Sequence, residues 1–239
     1  MREEGLERFT DYKGISPGNN YYLVYKPLFK DLEKSVTTYA KGRVLDIGCG
    51  NKPYEQMFTG RITEYIGCDI VQSSEKKVDV ISEATNIPLP DASFDTVFST
   101  QTLEHVAEHQ KLLSEAFRLL KPGGHIIVSA PLYWHLHEEP YDFFRFTKYG
   151  FEHIFEKAGF KTVEILSNGG LWATTGQVII HSLMLPNKFK KSPWYVRVFK
   201  KTFVFLRFPR IINWIFSWLD KKDYNPVNTM NYVVVGRKD

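Results

Sequence analysis

Residues 43–54 read RVLDIGCGNKPY. An apolar run ends there on one acid and two glycines, and a short turn follows. Glycine has no Cβ, so the chain can bend tightly and a ligand can come into contact with the backbone. We read Arg43–Ile47 as a buried strand and the loop after it as a receptor for a nucleotide-like group. A lone G-x-G is also found in plain turns. The stronger sign is Asp69, nineteen residues after Gly50 and at the end of the next predicted strand, Glu64–Asp69. A carboxylate there can accept both hydrogen bonds of a ribose diol.

The same alternation continues outward from this stretch. A helix is predicted over Tyr22–Ala40, with further strands at Val78–Ser82, Phe94–Ser99, His125–Ala130, Lys161–Leu166 and Asn231–Gly236. Between the fourth and fifth strands, Leu103, Val106, Leu112, Leu113, Ala116 and Leu119 or Leu120 recur at helical spacing, predicting a helix over Thr102–Leu120. It stops at Lys121-Pro122-Gly123-Gly124, a basic last turn followed by helix breakers. Another helix is predicted over Thr147–Ala158. Short apolar strands alternating with helices imply an α/β fold, a mostly parallel sheet covered on both faces. Ligands of such sheets bind beyond the carboxyl ends of the strands.

The loop chemistry narrows the ligand. A dinucleotide loop has a third glycine for its pyrophosphate, G-x-G-x-x-G, but here Pro53 follows Gly50-Asn51-Lys52. The acid before the glycines, Asp46, suits a cationic cofactor and repels a pyrophosphate. S-adenosylmethionine, with its sulfonium and ammonium groups, fits better than NAD.

Four stretches in order, VLDIGCG, EYIGCDI, ATNIPLPDASFDTVFSTQTLEHV and LLSEAFRLLKPGGHIIVSAP, resemble the successive motifs of class I S-adenosylmethionine-dependent methyltransferases. The resemblance covers about residues 40–166 and resumes at the last strand. It implies a Rossmann-like seven-stranded sheet of order 3-2-1-4-5-7-6 with the last strand antiparallel. It also implies that Asp46, Gly48 and Gly50 border the methionine part and that Asp69 binds the ribose. Glu83 and Ala84 then lie by the adenine, and Thr100 and Gln101 by the sulfonium end; Ile70, next to Asp69, is placed either to pack on the adenine face or to belong to the core. Position 83 more commonly carries Asp in this family. His105, in Leu103-Glu104-His105, is expected in the first turn of the following helix as a positioning residue near the cofactor.

Residues 131–147, PLYWHLHEEPYDFFRFT, gather His135, His137, Glu138, Glu139, Asp142 and Arg145 among aromatics after the fifth strand. A loop of this kind at the ligand edge is read as the acceptor pocket and lid; the plainer reading is a surface loop whose charges pair with one another. His137 is expected to be the base for a hydroxyl acceptor, with His135 its nearest competitor, and Arg145 to anchor an anion or brace the lid. His135-x-His137-Glu138 has metal-ligating groups, but no further ligand cluster is visible in the sequence, so no metal is expected. HEEPYDFFRFT is similar to a bacterial subgroup of these enzymes associated with cell-surface glycans or secondary metabolites. Amino-nucleobase methylation is set aside, because that subclass has Asn/Asp-Pro-Pro-Tyr/Phe where this chain has Ser99-Thr100-Gln101-Thr102.

More than fifty residues separate the sixth and last predicted strands, far more than the fold needs. We read residues 168–228 as a helical insertion within a single methyltransferase domain spanning 1–239. The net charge of +4 conceals ten Lys/Arg against two Asp/Glu over His181–Tyr224, while the rest of the chain carries −4. Wound as a helix, Trp194–Phe208 puts Arg197, Lys200, Lys201 and Arg207 on one arc beside Tyr195, Val198, Phe199, Phe203 and Leu206. Pro209 is expected to break or kink it. Ile211–Leu219 is apolar nearly all round and carries Trp214 and Trp218. Residues 194–219 are thus expected to meet an anionic membrane surface or to form a homodimer or pocket cover, with nucleic acid the weakest of these readings.

Apolar residues at 43% and charged residues at 24% describe an ordinary globular chain. No run reaches the roughly 18 apolar residues of a membrane span. Two cysteines, Cys49 and Cys68, fit a reducing compartment, and MREEGLERFT lacks a secretory signal. The expected location is cytoplasmic, peripheral at the inner face of a membrane. The expected function is O-methylation of a small-molecule or lipid-linked saccharide acceptor. An NAD-dependent oxidoreductase and a catalytically silent cofactor-binding partner are the alternatives.

Overall fold

The alternating pattern becomes, in a computed structural model that describes residues 14–185 and 191–239, a seven-stranded sheet of order β3-β2-β1-β4-β5-β7-β6. The strands are β1 (Gly42–Ile47), β2 (Ile62–Asp69), β3 (Val80–Ile81), β4 (Phe94–Thr100), β5 (Leu120–Pro131), β6 (Lys161–Asn168) and β7 (Asn231–Arg237). β1 pairs in parallel with β2 and β4, and β4 with β5, while β7 runs antiparallel to β5 from His125↔Arg237 to Pro131↔Asn231. The helices are α1 (Tyr22–Tyr39), α2 (His109–Leu119), α3 (Lys148–Lys157), α4 (Leu171–Met184), α5 (Trp194–Phe205) and α6 (Phe208–Lys222). MREEGLERFT and part of the basic stretch, Lys188 and Lys190, lie outside the described residues.

The chain divides into two compact units. The first holds Lys30–Leu166 and Asn231–Asp239, and therefore the sheet. On one face of the sheet its core is built from Leu45, Ile47, Val97, Ile126, Val128 and Val234, all buried, against Leu112, Leu113 and Ala116 of α2 and Phe151 and Phe155 of α3. Thr147 starts α3 by accepting the Gly150 N–H at 3.0 Å, satisfying one of the donors that every helix start leaves open.

One predicted helix is really two elements. Thr102–Leu120 divides into a 3-10 turn, Leu103–His105, and α2 from His109. A continuous α-helix would use the Glu104 carbonyl for the N–H of residue 108. Here Phe143 N–H and Phe144 N–H donate to that carbonyl, at 2.9 and 3.3 Å. A long-range contact therefore takes the acceptor that the local period called for.

The second unit holds Gly14–Phe29 and Ser167–Met230. Tyr22, Leu23, Ala173 and Ile180 form its core, with Ile212 and Phe216 packed against them. Gly176 lets the helices approach closely: a Cβ there would lie 2.7 Å from both Leu23 Cδ1 and Phe216 Cβ. Asp220 accepts the Gly170 and Ala173 N–H groups at 3.1 Å and so caps α4 from α6. Asn213 is fully buried and donates to the Pro17 and Asn19 carbonyls, which gives α6 an inward side that its apolar sequence concealed. The expected break at Pro209 falls earlier, at Arg207, whose φ is +55°. Pro209 sits in the first turn of α6, where its missing N–H costs nothing.

Candidate active site

The carboxyl ends of β1, β2 and β4 converge on a cavity of about 530 Å³ in the first unit. The turn after β1 is held from beneath. Gly48 N–H and Cys49 N–H both donate to the Cys68 carbonyl, and Lys52 Nζ reaches Asp79 Oδ2 at 2.5 Å. Gly48 has φ +79°, and a Cβ added to it would lie 2.2 Å from Thr102 Oγ1. Only glycine fits, so the wall stays thin where a ligand would press on it.

Asp69 closes the turn from the next strand. Its Oδ2 accepts Gly50 N–H at 3.0 Å and its Oδ1 accepts Ile70 N–H at 2.7 Å, which fixes the carboxylate in one orientation. Each oxygen keeps a lone pair, enough to meet a ribose diol. Ile70 and Val71 are about two-fifths exposed here, which leaves an apolar surface next to a fixed acid. Glu83 and Ala84 line the same cavity. Their segment is braced from behind: Glu115 accepts Ile87 N–H at 2.7 Å, and Arg118 donates to the Ile87 and Leu89 carbonyls. Arg118 beside it holds the Glu115 carboxyl below its usual range. An acid, an apolar shelf and a Cβ-free wall fit the nucleoside end of S-adenosylmethionine.

Not every expected residue lines this cavity. Asp46 is 2% exposed and accepts the Tyr65 hydroxyl at 2.6 Å. Burial outweighs that bond and pushes its pKa up to about 7. Of the two acids at the ends of β1 and β2, Asp69 is the one that lines the cavity, and the charge argument drawn from Asp46 passes to it. Gly50 and Thr100 are also outside the lining; Thr100 is buried. Gln101 has the left-handed φ of +51°, uncommon for a side chain with a Cβ, and donates to Ser129 Oγ at 3.1 Å.

His105 lines the cavity from the 3-10 turn rather than from a helix. Its Nδ1 lies 2.7 Å from the Tyr141 carbonyl, which can only accept, so the neutral ring carries its proton there and leaves Nε2 as the acceptor. The 131–147 loop folds onto this turn. Tyr141 and Phe143 line the cavity, and nothing in the sequence distinguishes them from the loop's other aromatics. Thr102 also lines the cavity, directly before the Leu103-Glu104-His105 motif.

The loop is held by an ion pair. Asp142 accepts Arg145 Nη1 at 2.6 Å, Arg145 Nη2 at 2.8 Å and the His137 backbone N–H at 3.1 Å. Burial disfavours the charge of Asp142, but these hydrogen bonds hold its pKa down at about 2. Arg145 also donates to the carbonyls of Trp134, His135 and Phe144. All five guanidinium donors are taken within the loop, so of its two expected roles the geometry favours bracing over anion capture. His135 stacks on Trp134, with ring centroids 5.0 Å apart. His137 meets His105 edge to face at 4.7 Å. Burial, and then the neighbouring His105, lower the His137 pKa to about 4.

Residues 45–128 match the family described as "Methyltransferase domain". Among curated proteins, the chain is 34% identical over 96 residues to a probable S-adenosylmethionine-dependent methyltransferase of Mycolicibacterium smegmatis, covering 37% of each chain. It is 33% identical over 102 residues to the 27-O-demethylrifamycin SV methyltransferase of Amycolatopsis mediterranei, covering 36% of this chain and 38% of that one. The matched part is thus less than two-fifths of these relatives' own length. Among solved structures, a SAM-dependent methyltransferase from Archaeoglobus fulgidus superposes with a TM-score of 0.56 at 22% identity, covering 88% of this chain and 93% of that one. That last likeness is one of fold.

Proposed function

We propose that this chain, a class I S-adenosylmethionine-dependent methyltransferase by its matched domain and its sheet order, moves the sulfonium methyl of S-adenosyl-L-methionine to a hydroxyl oxygen of a small-molecule or lipid-linked saccharide. The observation that carries this is the Gly48 turn and the fixed Asp69 carboxylate beside it, which line one partly apolar cavity. The cofactor supplies an activated methyl group. The chain has to orient it, exclude water and take one proton.

Asp69 holds the ribose, Ile70 packs on the adenine with Glu83 and Ala84 beside it, and Gly48 admits the methionine chain. Gly50 keeps the turn open by donating to Asp69, while Asp46, Thr100 and Gln101 shape the strand ends behind it. Tyr141 and Phe143 cover the site from the loop that Asp142 and Arg145 brace. As a carbon–oxygen bond forms and the carbon–sulfur bond breaks, the hydroxyl proton passes to an imidazole. His137 is the first candidate, with His135 next to it and His105 Nε2 facing the cavity. A ring whose pKa is about 4 is neutral at pH 7 but holds a proton weakly, so His137 accepts it in step with methyl transfer rather than before.

We also place the protein at an anionic membrane surface on the cytoplasmic side. Trp194, Phe205, Trp214 and Trp218 on α5 and α6 are each more than half exposed, and Arg197, Lys201, Arg207 and Arg210 are exposed among them. Wet tryptophans mixed with cations suit a headgroup boundary. Among the described residues no helix is long and apolar enough to cross a bilayer.

Calorimetry with S-adenosylmethionine and with NAD tests the first step; heat from NAD alone would overturn the proposal. Mass spectrometry of envelope glycolipids incubated with protein and cofactor tests the second, with a methyl gain expected on an oxygen. Binding without any gain across such acceptors would mark the chain as a silent partner. Vesicles should sediment the protein at low salt when anionic and release it at high salt. Salt-independent self-association without vesicle binding would instead make α5 and α6 a dimer surface.

A further inference from the structure

We propose that Glu104, His105 and His137 bind one divalent first-row transition-metal cation, with zinc as its simplest occupant. The sequence concealed this, because the loop brings His137 to a carboxylate and an imidazole more than thirty residues away. One ligand atom from each of the three lies within 4.8 Å of the other two. Three atoms no farther apart than that share a point within about 2.8 Å of all of them, so each moves at most about 0.6–0.8 Å to reach the roughly 2.0–2.2 Å of a zinc–ligand bond. His105 Nε2 is already 3.9 Å from Glu104 Oε1 and 3.8 Å from Glu138 Oε2. Glu138 is therefore near enough to supply or replace a fourth ligand.

Glu104 is the independent sign. It is completely buried, and neither carboxylate oxygen has a hydrogen-bond partner. A buried carboxyl without partners is costly unless a proton or a cation neutralises it.

Both rings are set up as metal-ligating histidines usually are. The Tyr141 carbonyl fixes the Nδ1 proton of His105, and the His137 Nδ1 lies 3.2 Å from the His135 carbonyl and 3.3 Å from Asp142 Oδ2. Outer partners of this kind fix tautomer and ring orientation and leave the other nitrogen for the ion. Two imidazoles and a carboxylate with an open position form the ligand set of catalytic zinc and non-haem iron sites. Glu138 has the left-handed φ of +52°, a conformation that in a residue with a Cβ collects at functional sites.

The inference deepens the methyl-transfer reading and rests on it for its purpose. A cation here would bind the acceptor oxygen and ease loss of its proton, the task otherwise left to His137. The test uses the full chain stripped with chelator and then dialysed against zinc alone, or against cobalt for its visible absorption. About one ion per chain is expected, with cobalt bands typical of mixed nitrogen and oxygen ligands. Glu104→Gln and His137→Gln should each weaken zinc binding about 100-fold, while S-adenosylmethionine titration shows both variants folded and binding as the parent does. Less than a tenth of an ion per chain in the parent, or equal zinc affinity in parent and both variants, would overturn the site. Either result leaves cofactor binding intact, so it is distinct from failure of the methyl-transfer reading, in which S-adenosylmethionine itself does not bind.

Discussion

Replacing Asp142 with Asn should loosen the loop that covers the site. The parent carboxylate, 2% exposed, faces two Arg145 nitrogens at 2.6 and 2.8 Å and the His137 N–H at 3.1 Å. The amide keeps the shape but loses the charge, and its NH₂ must point at a donor. Charge-assisted bonds contribute about 1.5–3 kcal/mol each, and breaking a buried pair costs about 3–5 kcal/mol. Arg145 is 23% exposed, so water relieves part of that. We expect a loss of about 2–4 kcal/mol at pH 7 in urea unfolding. The pH dependence provides a second check. Asp142 has a folded pKa of about 2, below the ordinary 3.8, so its contribution of about 2 kcal/mol is complete above pH 4 and disappears as pH falls through 2. The gap between parent and variant should therefore narrow by about 1 kcal/mol between pH 7 and pH 3. A gap below about 0.5 kcal/mol at pH 7, or one that does not change with pH, would refute the brace.

Other perturbations follow from the same geometry. Asp69→Ala removes the ribose acceptor and frees Gly50 N–H, and should weaken S-adenosylmethionine binding about 10- to 100-fold by calorimetry. Gly48→Ala forces a Cβ to 2.2 Å from Thr102 Oγ1 at φ +79°, and should cost about 1–3 kcal/mol in thermal unfolding and reduce cofactor affinity. His137→Ala and His135→Ala should separate in single-turnover methylation, with His137 the slower by about 10²-fold or more; equal parent rates would remove the base assignment. Replacing Trp214 and Trp218 together with Glu should abolish sedimentation with anionic vesicles while leaving cofactor binding unchanged.

What the sequence could show was set by the range of each interaction. The β1 turn, Asp69 and the strand order were legible because strand ends and glycine turns are local, and because four motifs recur in order. The division of Thr102–Leu120 was not, because Phe143 and Phe144 supply the competing donors from another loop. Asp46 looked like a loop acid, yet Tyr65 on the neighbouring strand covers it. For Arg145 the sequence left anion capture and bracing open, because the Asp142 carboxylate and the loop carbonyls that take its donors are placed by the folded loop. Glu104 lies in the Leu103-Glu104-His105 motif, but its burial and its lack of a partner leave no mark in the sequence.

The order of the strands also affects how the chain is made. β6 has only β7 as its neighbour, and β7 is separated from it by residues 169–230. During synthesis β5 therefore leaves the ribosome with one flank bare, and β6 waits unpaired until Asn231 has emerged. An exposed strand edge recruits other chains, so this interval is when a nascent molecule is most exposed to aggregation. A ribosome stalled anywhere in that interval would release a sheet with an open side and a stray strand, and a chaperone would have to shield both.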